Sequence, residues 1–213
     1  MSFFTKWVDS LSALVRRGGS EASDRQLRDL AVEAEKAAPG ARWAVFNRLG
    51  DAYLKADDRP RALRYFGKAI DALLEDDQPE PARAVAKKVI RLHPEAVRTL
   101  CTLTWLDLAS MKIPAATSSL QKYVDGAKAG NQERLACGHV LEMSRLVADK
   151  TFLDEAVKAL GTLGCEAELA QAKEWAGVGR SPSAPTDRKS QSVSCLKAAI
   201  GSNVRMKTKG TVA

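Results

Sequence analysis

The residues best suited to chemistry are two histidines and four cysteines, since an imidazole beside a thiol is the pairing that yields a thiolate nucleophile. The nearest such pair is Cys137-Gly138-His139. On a helix, side chains two positions apart project about 200° from one another, so this thiol and this imidazole cannot form a dyad. His93 precedes Pro94 at a predicted helix end, where an imidazole stabilises the negative pole of the helix dipole. Cys101, Cys137, Cys165 and Cys195 are scattered, and no pair has the C-x2-C spacing of a metal site. Asp57-Asp58 and Glu75-Asp76-Asp77 hold enough carboxylate for a cation, but both runs fall at predicted helix ends, where acidic residues usually build solvated turns. Gly161-Thr162-Leu163-Gly164 is too short for a phosphate-binding loop, and no Walker, G-x-G-x-x-G or EF-hand pattern occurs. Neither a catalytic residue nor a metal or cofactor is expected, and the chain reads as a non-enzyme.

Composition narrows the class further. An apolar fraction of 45% with only 6% aromatic residues, dominated by alanine and leucine, suits a helical core of small side chains. The net charge of +7 would suggest nucleic acid if it were spread over the chain. It is not, because Val178–Ala213 holds seven Lys or Arg and one Asp, leaving residues 1–177 at +1. A basic end on a neutral body is read as a solvated tail rather than as a nucleic-acid surface. Three of the four cysteines sit in apolar helical contexts and are expected as reduced, buried thiols of a cytoplasmic protein rather than as disulfides. No stretch reaches the roughly 20 apolar residues of a membrane span. Lys6 and Asp9 interrupt the first apolar run, which therefore does not read as a signal peptide.

The elements that position everything else are predicted from Trp43–Glu75, WAVFNRLGDAYLKADDRPRALRYFGKAIDALLE. Phe46, Leu49, Gly50 and Tyr53 share one helical face, and Ala62, Phe66 and Ala69 share the next, with Asp57-Asp58-Arg59-Pro60 breaking the chain between them. Small Gly50 and Ala62 permit close approach while Phe46, Tyr53 and Phe66 fill the surrounding space. Leu49-Gly50-Tyr53 followed by Ala62-Phe66 resembles the tetratricopeptide repeat, with Phe46 where that repeat usually has Trp. The resemblance implies an all-α fold, a right-handed α-solenoid of helical hairpins, and a concave groove that binds protein rather than an active site. By the same resemblance, the groove candidates are Asn47, Arg48 and Asp51 of this repeat and Thr104 and Asp107 of a later one. Family members that grip chaperone C-terminal carboxylates use a Lys and an Asn, whereas the corresponding positions here hold Asn47 and Asp51. The negative charge of Asp51 would repel a carboxylate, so that ligand is not expected.

Around this hairpin, three segments are predicted. Residues 1–19 hold an amphipathic helix, Phe3–Arg17, whose stripe of Phe4, Val8, Leu11 and Val15 is expected to pack on protein, because its polar face is too thinly basic for a membrane surface. Residues 20–177 form the solenoid. It starts at the capping box Ser23-Asp24-Arg25-Gln26 and includes Ala82–Leu92, begun by Pro81, and Glu95–Ser110, which is apolar on nearly all sides and hence central. That helix pairs with Pro114–Ala127, closed by Gly126, Gly130 and Asn131; Glu133–Val147 and Phe152–Leu163 form another pair, and Glu166–Trp175 caps the stack. Residues 178–213 are expected to be disordered and basic. Within them 195–209 holds a short motif, Leu196 and Ile200 with the cations Arg205 and Lys207, that folds onto a partner or back into the groove.

The function expected from these features is a cytoplasmic, non-enzymatic adaptor whose groove holds a peptide or helix of another protein. The second expectation is a structural subunit, as a homo-oligomer or in a larger assembly, that uses the N-terminal helix and the tail for contacts. A third, in which the basic tail binds an anionic surface or nucleic acid, is the weakest on charge distribution.

Overall fold

A computed structural model describes residues 25–209, apart from Gln26, Glu35 and the side chains of Val204, Arg205, Lys207, Thr208 and Lys209. The proposed N-terminal helix Phe3–Arg17 and the capping residue Ser23 lie outside the described residues, as do the side chains of the tail candidates Arg205 and Lys207. Every regular element described is an α-helix. After helical backbone at residues 27–34 (α1) come α2 (Arg42–Lys55), α3 (Arg59–Glu75), α4 (Pro79–Leu92), α5 (Val97–Ala109), α6 (Ile113–Ala129), α7 (Glu133–Leu146), α8 (Lys150–Leu163), α9 (Glu166–Val178) and α10 (Arg188–Lys209). The chain divides into two units, Met1–Ala72 and Leu73–Ala213, with the boundary inside α3.

In the first unit, the α2–α3 hairpin packs as the spacing of its small and large residues dictates. Phe46, Leu49, Gly50 and Tyr53 of α2 and Ala62, Phe66 and Ala69 of α3 are all buried. Gly50 faces the Phe66 ring so closely that a Cβ there would lie 2.5 Å from a ring carbon. Beside that contact Tyr53 and Tyr65 stack, with ring centroids 5.3 Å apart, and the Arg61 guanidinium lies 5.6 Å above the Tyr53 ring. Gly50→Val should therefore destabilise the chain by about 1–3 kcal/mol, because the fully buried Phe66 has nowhere to swing. Phe66→Leu in the same chain should return part of the loss; a urea titration in which the two losses simply add would rule out this contact.

One turn recurs between helices. Asp57, Asp77, Met111 and Asn131 are non-glycine residues with φ between 52° and 56°. At each, the next residue's amide reaches back five positions to close the helix: Asp58 N–H to Tyr53, Gln78 to Leu73, Lys112 to Asp107 and Gln132 to Ala127, at 2.8–2.9 Å. This left-handed closure satisfies the terminal carbonyls. Pro60, Pro79 and Pro114, in the first turn of the following helix, ensure that the helix does not run on. The acidic pairs serve these turns, as Asp57 and Asp77 hold the strained backbone and the Asp58 carboxylate caps α3 by accepting from the Arg61 amide at 3.0 Å.

The second unit is built around α5, in which every residue from Leu100 to Leu108 is buried. It packs against α4, α6 and α10, while α7 packs against α6, α8, α9 and α10. Trp105, Tyr123, Met143, Phe152 and Leu160 fill the core between them. Asp149 caps α8 by accepting from the Phe152 amide, and left-handed Gly164 and Gly179 end α8 and α9. Gly126 does not close α6, which runs through it to Ala129; its bare α-carbon instead admits Val97.

Two expectations are overturned here. Cys137 and Cys165 are not reduced thiols: a disulfide joins them, with Cα atoms 6.3 Å apart, tying α7 to the residue that precedes α9. Residues 178–213 are also not a disordered tail throughout. Arg180 donates to the Ala184 carbonyl, Asp187 caps the next helix by accepting from the Ser190 amide at 2.8 Å, and α10 follows for 22 residues. Leu196 and Ile200 alone make too short an apolar stripe for a helix in water. The helix is held instead by a face of small and polar residues, Gln191, Cys195, Ala199, Ser202 and Asn203, all buried.

Candidate functional site

The buried polar groups come first, because they could act as a catalytic set. Although Cys137 and His139 diverge along α7, His139 meets a different thiol across the helices. Its Nδ1 lies 3.7 Å from Cys101 Sγ and 2.7 Å from the Tyr123 hydroxyl. The spacing would suit a thiol and its base, but the surroundings do not. Burial pushes the Cys101 thiol up to about 12 and raises the Tyr123 hydroxyl far above its usual range, so neither gives an anion at neutral pH. All three side chains are buried, and none lines the clefts beside α10 or those beside Leu103 and Leu120. The trio is best read as a polar knot that orients α5, α6 and α7. Cys195 is likewise buried, with its thiol pushed up to about 12.

The groove candidates fall in both units. Arg48 is exposed and 3.9 Å from Glu33, while Asn47 and Asp51 beside it are half-buried. Thr104 and Asp107 are not groove residues. Thr104 is fully buried, its hydroxyl donating to the Leu100 carbonyl at 2.9 Å, and buried Asp107 is ion-paired to Arg83 of α4. Repeat spacing cannot show that the Thr104 hydroxyl is satisfied one turn back and the Asp107 carboxylate by Arg83 of the neighbouring helix.

The surface of α5 and α7 that receives α10 is the most site-like feature of the second unit. The Thr102 hydroxyl donates to Asn203 Oδ1 at 2.7 Å, both residues being buried. Near the start of α5 and α7, Met206 of α10 joins Arg98, Asn131, Gln132 and Arg134 around a cavity of about 380 Å³. Near the end of α7, Glu142 and Arg145 share a cleft with Ser194 and Lys197 of α10. The helix is thus antiparallel to α5 and α7. Its buried face contains Cys195 and Ala199, whereas Leu196 and Ile200, singled out in the sequence, are only half-buried at its margin. Two amide nitrogens of this face, Gln191 Nε2 and Asn203 Nδ2, are buried without a hydrogen-bond partner. Each such group costs stability, so α10 is seated on a compatible surface without matching all of it.

Comparison with protein-family models, with curated proteins and with solved structures found no match. No helix among the described residues is long and apolar enough to cross a membrane.

Thr102, Gln191, Asn203 and Arg98 were not anticipated. The one available signal was the four-residue spacing of Gln191, Cys195, Ala199 and Asn203, a helical stripe hidden by its lack of large apolar side chains.

Proposed function

We propose that this chain is a non-enzymatic adaptor of the tetratricopeptide type, a right-handed solenoid of helical hairpins in which alternate helices, α5 and α7, receive a helix from a protein partner. The observation that carries the reading is that a helix, the chain's own α10, lies along these two. The recurrent left-handed turns and the close Gly50–Phe66 contact support a repeated hairpin architecture. Helix-in-groove recognition of this kind needs no active site. The seating of α10 also leaves the reading of a free basic tail on an anionic surface with less support. The cytoplasmic placement that rested on reduced thiols loses that basis, since structural disulfides persist chiefly in oxidising compartments.

The test is to vacate the seat in the full chain. Ala199 is fully buried, so Ala199→Asp places a charge where none is tolerated and should release α10. The variant should then bind a fluorescent peptide of residues 188–209, while the parent, its seat filled, should not. Retained helix content without peptide binding by the variant would refute the reading.

A further inference from the structure

In the second unit α9 is held weakly by packing and firmly by one covalent bond. It buries only Ala172 and Ala176, whereas α8 before it, a single residue longer, buries Phe152, Leu153, Ala156, Ala159, Leu160 and Leu163. The larger apolar side chains of α9, Leu169 and Trp175, are half-buried, and Val178 at its end is 77% exposed. Two alanines remove little apolar surface from water, and a helix of 13 residues is marginal by itself. Among the described residues, the one ion pair or hydrogen bond of an α9 side chain joins Glu168 to Arg134, which is 84% exposed. A pair so open to water contributes little. Cys165 occupies the N-cap position of α9 without a capping hydrogen bond from its side chain, and its disulfide to Cys137 fixes the start of the helix to α7. Left-handed Gly164 and Gly179 bracket α9, and a Cβ at either would meet nothing within 4 Å. No neighbour wedges these two turns, so both can re-orient as hinges.

We infer that the Cys137–Cys165 disulfide is a redox latch on α9, and that a dithiol reductant opens it, releasing α9 from α7 and α8 while the rest of the unit stays folded. Cys165 is the more exposed of the two cysteines, at 9% against 0% for Cys137, so it is the one that a reductant attacks. A thiolate of the reductant bonds to Cys165 Sγ, the Cys137–Cys165 bond breaks, and Cys137 leaves as a thiolate that takes up a proton. The second thiolate of the reductant then attacks the mixed disulfide. Its own disulfide closes, Cys165 departs and is protonated, and two electrons have passed from the dithiol to the protein. With the bond open, α9 swings on Gly164 and Gly179 and uncovers the surface of α7 and α8 on which it lay. The latch is therefore shut in an oxidising compartment and open where dithiol reductants prevail.

Amide exchange of the full chain, followed helix by helix before and after addition of dithiothreitol, decides it, with alkylation of an aliquot to show that the bond has opened. Exchange in α9 should quicken on the order of ten-fold or more, while α5 and α6 keep their protection. Reoxidation should restore the slow rate, and trypsin should cut at Lys173 of α9 in the reduced chain alone. A chain carrying Cys137→Ser and Cys165→Ser provides the same comparison without a reductant, and its α9 should exchange fast whether or not dithiothreitol is present. Equal acceleration from α5 to α9 would make the bond a brace of the whole unit. Unchanged α9 exchange after complete reduction would mean that packing alone holds the helix, and a bond that dithiothreitol opens only in urea would be a sealed cross-link. Each of these three results overturns the inference.

Discussion

An Asp107→Ala chain should lose about 3–5 kcal/mol of unfolding free energy, because the substitution removes one partner of an ion pair that is shielded from water. Asp107 is buried on the central helix α5, and the Arg83 side chain that pairs with it from α4 is 13% exposed. Deleting the carboxylate leaves that guanidinium with little water and only the more exposed Glu80 as a nearby negative charge. The cost comes from the stranded charge more than from the lost attraction, so replacing both partners by apolar residues of similar size, Arg83→Met with Asp107→Leu, should recover most of it. Urea unfolding of the two chains measures this. If Asp107 were a ligand-contacting groove residue, as its place in the repeat resemblance implies, Asp107→Ala would leave the unfolding midpoint unchanged, and that result would restore the surface assignment.

Cys137→Ala should cost about 3–4 kcal/mol under oxidising conditions, the loop entropy released when a cross-link spanning 28 positions is lost. Cys165→Ala should cost about as much, and the double substitution little more than either, because all three remove the same bond. Reduction of the unaltered chain should bring its stability toward that of the variants. Thiol counting gives a second readout: Cys101 and Cys195 are buried and held up to about 12, so the folded, oxidised chain should present no reactive thiol. The unfolded chain should present two of its four cysteines, and the reduced, unfolded chain all four. Single-cysteine losses that add in the double variant would mean that the bond is not formed.

Much of the helical framework was legible in advance because its signals are local. Pro114 marks a helix start and left-handed Gly164 a helix end, as their backbone chemistry requires, while α4 begins at Pro79, a little before the start that Pro81 suggested. The buried faces of α2 and α3 were legible for a related reason, but the partner of Gly50 was not: spacing pointed to a close approach with Ala62, whereas Gly50 faces the Phe66 ring. The candidate site was much less so. Thr104 and Asp107 share the spacing of groove residues, and only the partners they meet, the Leu100 carbonyl and the Arg83 guanidinium, distinguish them from side chains that await a ligand.

The sequence by itself determined the all-helical composition, most helix limits, the centrality of α5 and the buried faces of α2 and α3, all of which follow from periodicity, capping and side-chain volume within a few turns of chain. Tertiary structure alone decided the Cys137–Cys165 pairing, the interior role of Asp107 and the seating of α10. The last is the clearest case. Gln191, Cys195, Ala199 and Asn203 carry too little apolar surface to fold a helix alone, and the stripe they form acquires meaning only when α5 and α7, about a hundred residues earlier and some fifty residues earlier in the chain, supply the surface that excludes water from it.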